Sequence, residues 1–220
     1  MITVIANLKG GSGKSTVAFN LAVWLETHGH SVVGYDLDPQ CTFSDLAMLR
    51  TELGTSPGLT IHSVRAVLGG QLQSHTNCEV IVDVGAANMA AMKEAMAYAD
   101  RILVPVPPSQ ADVWATQRFL HIIRPEIQSG NVEGGRITLA FINRADTNQT
   151  IMETEETEEA LRMLPGIDRV LPQKLKMRSN FRRSLSEGLA VFEMWPQSKA
   201  AREFRGLAAA LYPEVGEQMN

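Results

Sequence analysis

Lys9, Gly10, Gly11, Ser12, Gly13, Lys14, Ser15 and Thr16 follow one another in NLKGGSGKST (residues 7–16), after the apolar run ITVIA and before the helical spacing of KSTVAFNLAVWLETHG. Successive N–H groups from Gly10 to Lys14 at a helix start form a nest for an anion, because backbone amides and the helix dipole both favour negative charge there. Glycine suits positions where the backbone must come close to that anion. Lys14 is spaced to grip the β- and γ-phosphates of a nucleoside triphosphate, and the Ser15 hydroxyl to ligate Mg²⁺. The ordinary phosphate-loop spacing asks for glycine at position 8, where this chain has Leu8, and it asks for no charge at position 9. A second ammonium near the β/γ bridge would stabilise charge as an arginine finger does. Supplied by another subunit, it would make hydrolysis depend on dimerisation.

Such a loop needs carboxylates at neighbouring strand ends. Asp83 closes EVIVDV and has the context of a Walker B aspartate that holds Mg²⁺ through its water shell. Asp36 and Asp38 close the second apolar run in YDLDPQ, and one of them is expected to face the nucleotide squarely. Asp38, next to Pro39, is the better candidate to orient the attacking water, and Asp36 is a further candidate for Mg²⁺ through water. Lys9, Lys14 and Asp38 make up the expected catalytic set.

These residues require strands and helices that bring loop and acids to one edge. ITVIA, SVVGYDLD, EVIVDV, RILVPV and RITLAFIN read as strands, apolar almost throughout, as parallel strands covered on both faces are. CTFSDLAMLR, NMAAMKEAMAYA, QADVWATQRFLHIIRPEI and TIMETEETEEALRML read as the intervening helices. A short strand near DRVLP and helices around 179–188 and 197–211 close the chain. The alternation predicts a doubly wound, mostly parallel α/β sheet flanked by helices, with residues 1–220 as a single domain. Residues 51–60 and 129–135 are loop-like in composition and too short to separate domains.

With 220 residues, 45% of them hydrophobic, the chain can bury one sizeable core, and its formal net charge of -4 argues against a protein that coats nucleic acid over its whole surface. Cys41 and Cys78 stand apart in no metal-binding spacing, so neither a disulfide framework nor a zinc site is indicated, and a reducing cytoplasm fits best. No uncharged apolar run approaches the length of a membrane span.

KGGSGKST, DLDPQ and IVDVGAA together resemble the ParA family of partitioning ATPases, within the deviant-Walker group that also holds MinD. PVPPSQADVWA, FINR and LPQKLKMRSNFRRSLSEGLAVFE extend the resemblance over nearly the whole chain in the same order. It implies a P-loop NTPase that uses ATP and Mg²⁺ and forms an ATP-sandwiched homodimer, in which Lys9 reaches the partner's nucleotide. It also implies that Thr16 helps hold the α-phosphate and that Asn143 and Arg144 lie near the adenine. Many family members have DTPP after the Walker B strand. DVGAA here is closer to the small ParF-like members, and no helix-turn-helix precedes the loop, so operator-specific repression is not expected.

Residues 169–183, RVLPQKLKMRSNFRR, are basic without an acidic residue, and a patch of Lys174, Lys176, Arg178, Arg182 and Arg183 suits sequence-independent DNA phosphate contact. A solvated face, or pairing with the METEETEE run, is the plainer alternative. The resemblance favours DNA, and with it a nucleoid-associated location, slow basal hydrolysis and a ParB-like or other small adaptor that stimulates it. A rival, a MinD-like membrane cycler, would need an amphipathic C-terminal membrane helix. Phe204, Leu207, Ala208 and Leu211 have that spacing, but the polar face lacks lysines and core packing is the expected use, so no stable membrane binding is expected. A P-loop metabolic ligase would leave Lys9 and the basic run without a purpose.

Overall fold

The structure is a computed structural model that describes residues 1–64, 69–129, 135–148 and 152–216. The predicted loop at 129–135 lies outside the described residues apart from its two ends.

Each apolar run becomes a strand and each helical period a helix, in the order β1 (Ile2–Ala6), α1 (Lys14–Thr27), β2 (Val32–Asp36), α2 (Thr42–Glu52), β3 (Thr60–Ser63), α3 (Gly69–Gln73), β4 (Glu79–Val84), α4 (Met89–Tyr98), β5 (Arg101–Val106), α5 (Gln110–Ser129) and β6 (Ile137–Ala145). The chain continues through α6 (Glu153–Arg162), β7 (Arg169–Val170), β8 (Leu175–Lys176), α7 (Ser179–Leu185), α8 (Val191–Met194), α9 (Lys199–Leu211) and α10 (Pro213–Gly216). β3, absent from the sequence reading, is a polar edge strand whose side chains are mostly exposed, so it has no apolar run to betray it. α3 and the two-residue β8 were likewise too short to show a period.

The sheet order is β3-β2-β4-β1-β5-β6-β7, with β8 on β6, and every described pairing is parallel. Two cores sandwich it. One face packs α1, α8, α9 and α10 around Phe19, Trp24, Phe141 and Phe204; the other packs α3 to α6 around Val82, Met92, Val104 and Phe119. Phe204, Leu207, Ala208 and Leu211 of α9 are all buried in the first core. Among the described residues no helix is long and apolar enough to cross a membrane.

β1 is central, with β4 on one side and β5 on the other. The chain leaves β1 toward one edge and later returns to the other, so the carboxyl ends of β1, β4 and β5 frame the crevice where open α/β sheets bind ligands. The loop at 7–14, the acids after β2 and β4, and the end of β6 all lie at that edge.

Candidate functional site

The phosphate-type loop joins β1 to α1 as predicted. Gly13 is the N-cap of α1 at φ 92, a left-handed conformation that disfavours a side chain, and a Cβ there would overlap the Asn143 amide. The first turn of α1 carries no acidic residue of its own. Among the described residues, none of the N–H groups of residues 10–13 donates to a protein acceptor.

The loop's two lysines diverge. Lys14 is 6% exposed and its Nζ donates to the Lys9 carbonyl at 3.4 Å. Burial pushes its ammonium below the ordinary value, opposed by the charges of Asp83 and Asp38, which places all three groups together. Lys9 is exposed; its backbone N–H is held by Asn7 at 3.1 Å, while its ammonium makes no ion pair among the described residues.

Asp83 is fully buried and both of its carboxylate oxygens lack a hydrogen-bond partner of good geometry. Burial pushes its carboxyl up to about 7, relieved in part by the Ser15 hydroxyl and Lys14 and reinforced by Asp36 and Asp38. A buried carboxylate beside a hydroxyl and an ammonium, with no hydrogen bond of good geometry from the chain, fits a hydrated divalent cation. Ser15 and Asp83 therefore meet as the sequence implied.

The two acids of DLDP are separated in role. Asp36 sits directly across from Asp83 in the β2–β4 register. One of its oxygens accepts the Asp38 N–H at 3.1 Å; the other accepts the Ser44 N–H at 2.8 Å and hydroxyl at 3.1 Å. Both oxygens thus help anchor the turn and the start of α2, and Asp36, the further candidate for Mg²⁺ through water, keeps about one acceptor site beyond these three bonds. Asp38 is half-buried and packs on Gly85, where a Cβ would fall on its carboxylate. That close approach accounts for glycine in DVGAA. The Leu37 N–H bonds to the Asp83 carbonyl at 2.9 Å and the Leu37 carbonyl accepts from Asn88 at 3.1 Å, so the Asp38 turn is tied to β4 and α4.

Beside the loop a cavity of about 740 Å³ opens between α1, α2, the end of β6 and α7. Gly13, Thr16, Asn143 and Arg144 line it, together with Lys176, Arg178 and Arg182. Thr16, Asn143 and Arg144 thus border one space, and the side chains of the latter two also reach the loop itself. Asn143 Nδ2 donates to the Ser12 carbonyl and Arg144 Nη1 to the Gly11 carbonyl, each at 2.6 Å.

The basic run is not a uniform free patch. Lys174 pairs with Glu158 at 2.6 Å and Glu155 at 3.8 Å, the pairing with METEETEE that was the plainer alternative. Arg178 pairs with Glu203 of α9 at 2.6 Å, and that hydrogen bond raises the guanidinium above its ordinary value. Lys176 is half-buried at the cavity wall. Arg182 and Arg183 stay exposed and outside any ion pair among the described residues, with Arg183 over the Trp195 ring at 5.8 Å. Lys199 and Arg202 on α9 are also exposed and unpaired among the described residues. They stand 16 or more residues beyond the basic run, so no local pattern joins them to it, and only the folding of α9 beside β8 and α8 brings that helix into the same region.

Comparison with known proteins agrees with this fold. The chain is 26% identical over 204 residues to the maintenance of carboxysome distribution protein A of Halothiobacillus neapolitanus, covering 90% of each. Its fold matches apo McdA of Cyanothece with a TM-score of 0.78 at 20% identity, covering 96% of this chain and 98% of that one. It matches the septum site-determining protein MinD of Pyrococcus horikoshii, solved with Mg-ADP, with a TM-score of 0.74 at 19% identity, covering 100% and 98%. The family model described as CbiA, the CobQ/CobB/MinD/ParA nucleotide binding domain, matches residues 3–191. The chain belongs to this family of nucleotide-binding domains.

Proposed function

We propose that the protein is an ATP-dependent dimerisation switch that binds non-specific DNA in its dimeric state and positions a cargo. The observation that carries this reading is the divergence of the two loop lysines: Lys14 is buried near Asp83 and Asp38, while Lys9 is exposed with no partner for its charge among the described residues. A cation on the rim of a phosphate site, unneeded by its own chain, suits a second subunit's nucleotide.

On this reading the phosphates of ATP lie on the N–H groups of residues 10–14, and Lys14 balances the β- and γ-phosphate charge. Ser15 and Asp83 would hold Mg²⁺, which supplies charge neutralisation at the same phosphates. Asp38, free of Mg²⁺ duty and seated on Gly85, would orient the attacking water. The nucleoside would enter the cavity bordered by Thr16 and Asn143. Exposed Arg182, Arg183, Lys199 and Arg202 form the proposed DNA surface. A small adaptor protein would stimulate hydrolysis and release. The name of the Halothiobacillus relative supports a protein assembly as cargo, beside a plasmid or a chromosome.

The test is Lys9→Ala. It is expected to leave MgATP binding by calorimetry unchanged and to abolish the ATP-dependent dimer seen by light scattering. A variant that still dimerised and hydrolysed ATP normally would sink the switch.

The DNA surface has its own check. Arg182→Ala with Arg183→Ala is expected to lower the slope of log affinity against log salt by about 2 on a random duplex, since each lost phosphate contact removes about one. Lys199→Ala should lower it again, while the ATP-dependent dimer persists. Equal affinity and slope in all three would rule this surface out.

A further inference from the structure

Arg144 is held in a conformation that arginine avoids, at φ 61 at the end of β6. Its N–H is fixed by Asn143 Oδ1 at 3.0 Å and its guanidinium reaches back across the sheet edge to the Gly11 carbonyl at 2.6 Å. Next to it, Asn143 Nδ2 takes the Ser12 carbonyl at 2.6 Å. Two consecutive carbonyls of the phosphate loop are thus gripped by two consecutive residues of a strand more than 130 positions away.

The consequence follows from peptide geometry. A trans peptide is planar, with its C=O and N–H on opposite sides. Fixing the Gly11 carbonyl therefore turns the Ser12 N–H away from β6, and fixing the Ser12 carbonyl turns the Gly13 N–H likewise. These are middle donors of the anion nest. In the glycine-rich run 10–13, with little side-chain bulk to hold it, both planes could otherwise rotate at small cost. Backbone strain of this kind persists only where surrounding contacts over-determine it.

We infer that Arg144 is a positioning residue for the phosphate loop: its strained backbone aims the guanidinium at Gly11, and that contact pre-orients the loop's amides for a polyphosphate. The inference rests on the proposed ATP site, and it assigns Arg144 an action through the loop in place of recognition of the adenine.

The experiment compares wild type with Arg144→Asn and Arg144→Gly, residues that tolerate the left-handed conformation but cannot span the contact. Binding of MgATP and of inorganic tripolyphosphate is measured by calorimetry, and unfolding by thermal melts. Both variants are expected to bind both ligands about tenfold more weakly or worse, as loss of a charged hydrogen bond implies, with melting temperatures equal to or above wild type because strain is relieved. The Ser12 and Gly13 amide resonances of the nucleotide-free variants are expected to move. Weakened ATP binding with unchanged tripolyphosphate binding would mean that Arg144 reads the nucleoside, and would overturn the inference. So would a loss of affinity that tracked a fall in melting temperature, the sign of a general structural role. Unchanged affinity in variants of an ATP-binding wild type would overturn the positioning role alone. A wild type that bound neither ligand would overturn the ATP site and this inference with it.

Discussion

Asp83→Asn is expected to make the nucleotide-free protein more stable at pH 8 while abolishing the proposed hydrolysis of ATP. The Asp83 carboxyl titrates near 7 in the folded chain, against 3.8 when exposed, because burial disfavours its charge. The folded state therefore holds the proton more tightly than the unfolded state. Below pH 3.8 the carboxyl is neutral in both states and costs nothing. Between about 4 and 7 the folded chain pays increasingly for keeping or losing that proton, and above 7 the full penalty applies. A gap of about three pH units at about 1.4 kcal/mol each sets a ceiling of about 4 kcal/mol. Asparagine has the shape of the protonated acid and never ionises. Its benefit is trimmed because Lys14 loses an opposite charge, so a net gain of about 1–3 kcal/mol at pH 8, shrinking toward pH 5, is the expected result of urea titrations. Hydrolysis should fall at least about 100-fold, the upper scale of loss when an outer-shell metal partner is removed. A stability gain equal at pH 5 and pH 8 would refute the buried-charge account, and retained hydrolysis would refute the Mg²⁺ role.

Arg50→Ala is expected to destabilise the fold by about 3–5 kcal/mol, the usual loss when one partner of a buried ion pair is removed. Arg50 is fully buried on α2. Its guanidinium forks onto Glu193 at 2.7 and 2.8 Å and also donates to the Pro57 carbonyl at 2.6 Å and the Gly188 carbonyl at 3.1 Å. Glu193 in turn accepts the Ala190 N–H at 2.7 Å at the start of α8. One side chain thus fastens α2, which begins just after the Asp38 turn, to the segment that follows α7. Removing it leaves two backbone carbonyls without a buried donor and a carboxylate without its counter-charge. The midpoint in urea should drop with little change in slope. Arg50→Met combined with Glu193→Leu is expected to recover much of the loss, because a neutral pair leaves no charge stranded. A loss under about 1 kcal/mol for Arg50→Ala would show that the pair is solvated and incidental.

How much of this was legible beforehand depends on the range of each interaction. The loop, its two lysines and Ser15 lie within ten consecutive residues, and their geometry follows from local backbone rules at a strand-to-helix turn. Asp83 and Asp38 could be named because an apolar run that ends in an acid marks the carboxyl edge of a parallel strand. The strands themselves were visible because burial on both faces demands nearly continuous apolar residues, while β3, exposed at the edge, obeys no such demand.

What the chain order could not express was which partner each charged group would meet. Asp36 and Asp38 look alike in DLDP, yet the fold gives Asp36 to Ser44 and Asp38 to Gly85. Lys174 and Arg178 sit in the same basic run as Arg182 and Arg183, but α6 and α9 bring glutamates to the first two and none to the others among the described residues. Arg50 reads as an ordinary helix residue until Glu193 arrives from 143 positions away. The sequence by itself therefore determined the class of machine, a phosphate loop with a spare lysine on a parallel sheet, because those features are set by local spacing and by the periodicity of burial. Only the tertiary structure decided which charges are spent inside the fold and which remain for ligands and partners, because a charge is satisfied by neighbours in space, and sheet order is what chooses them.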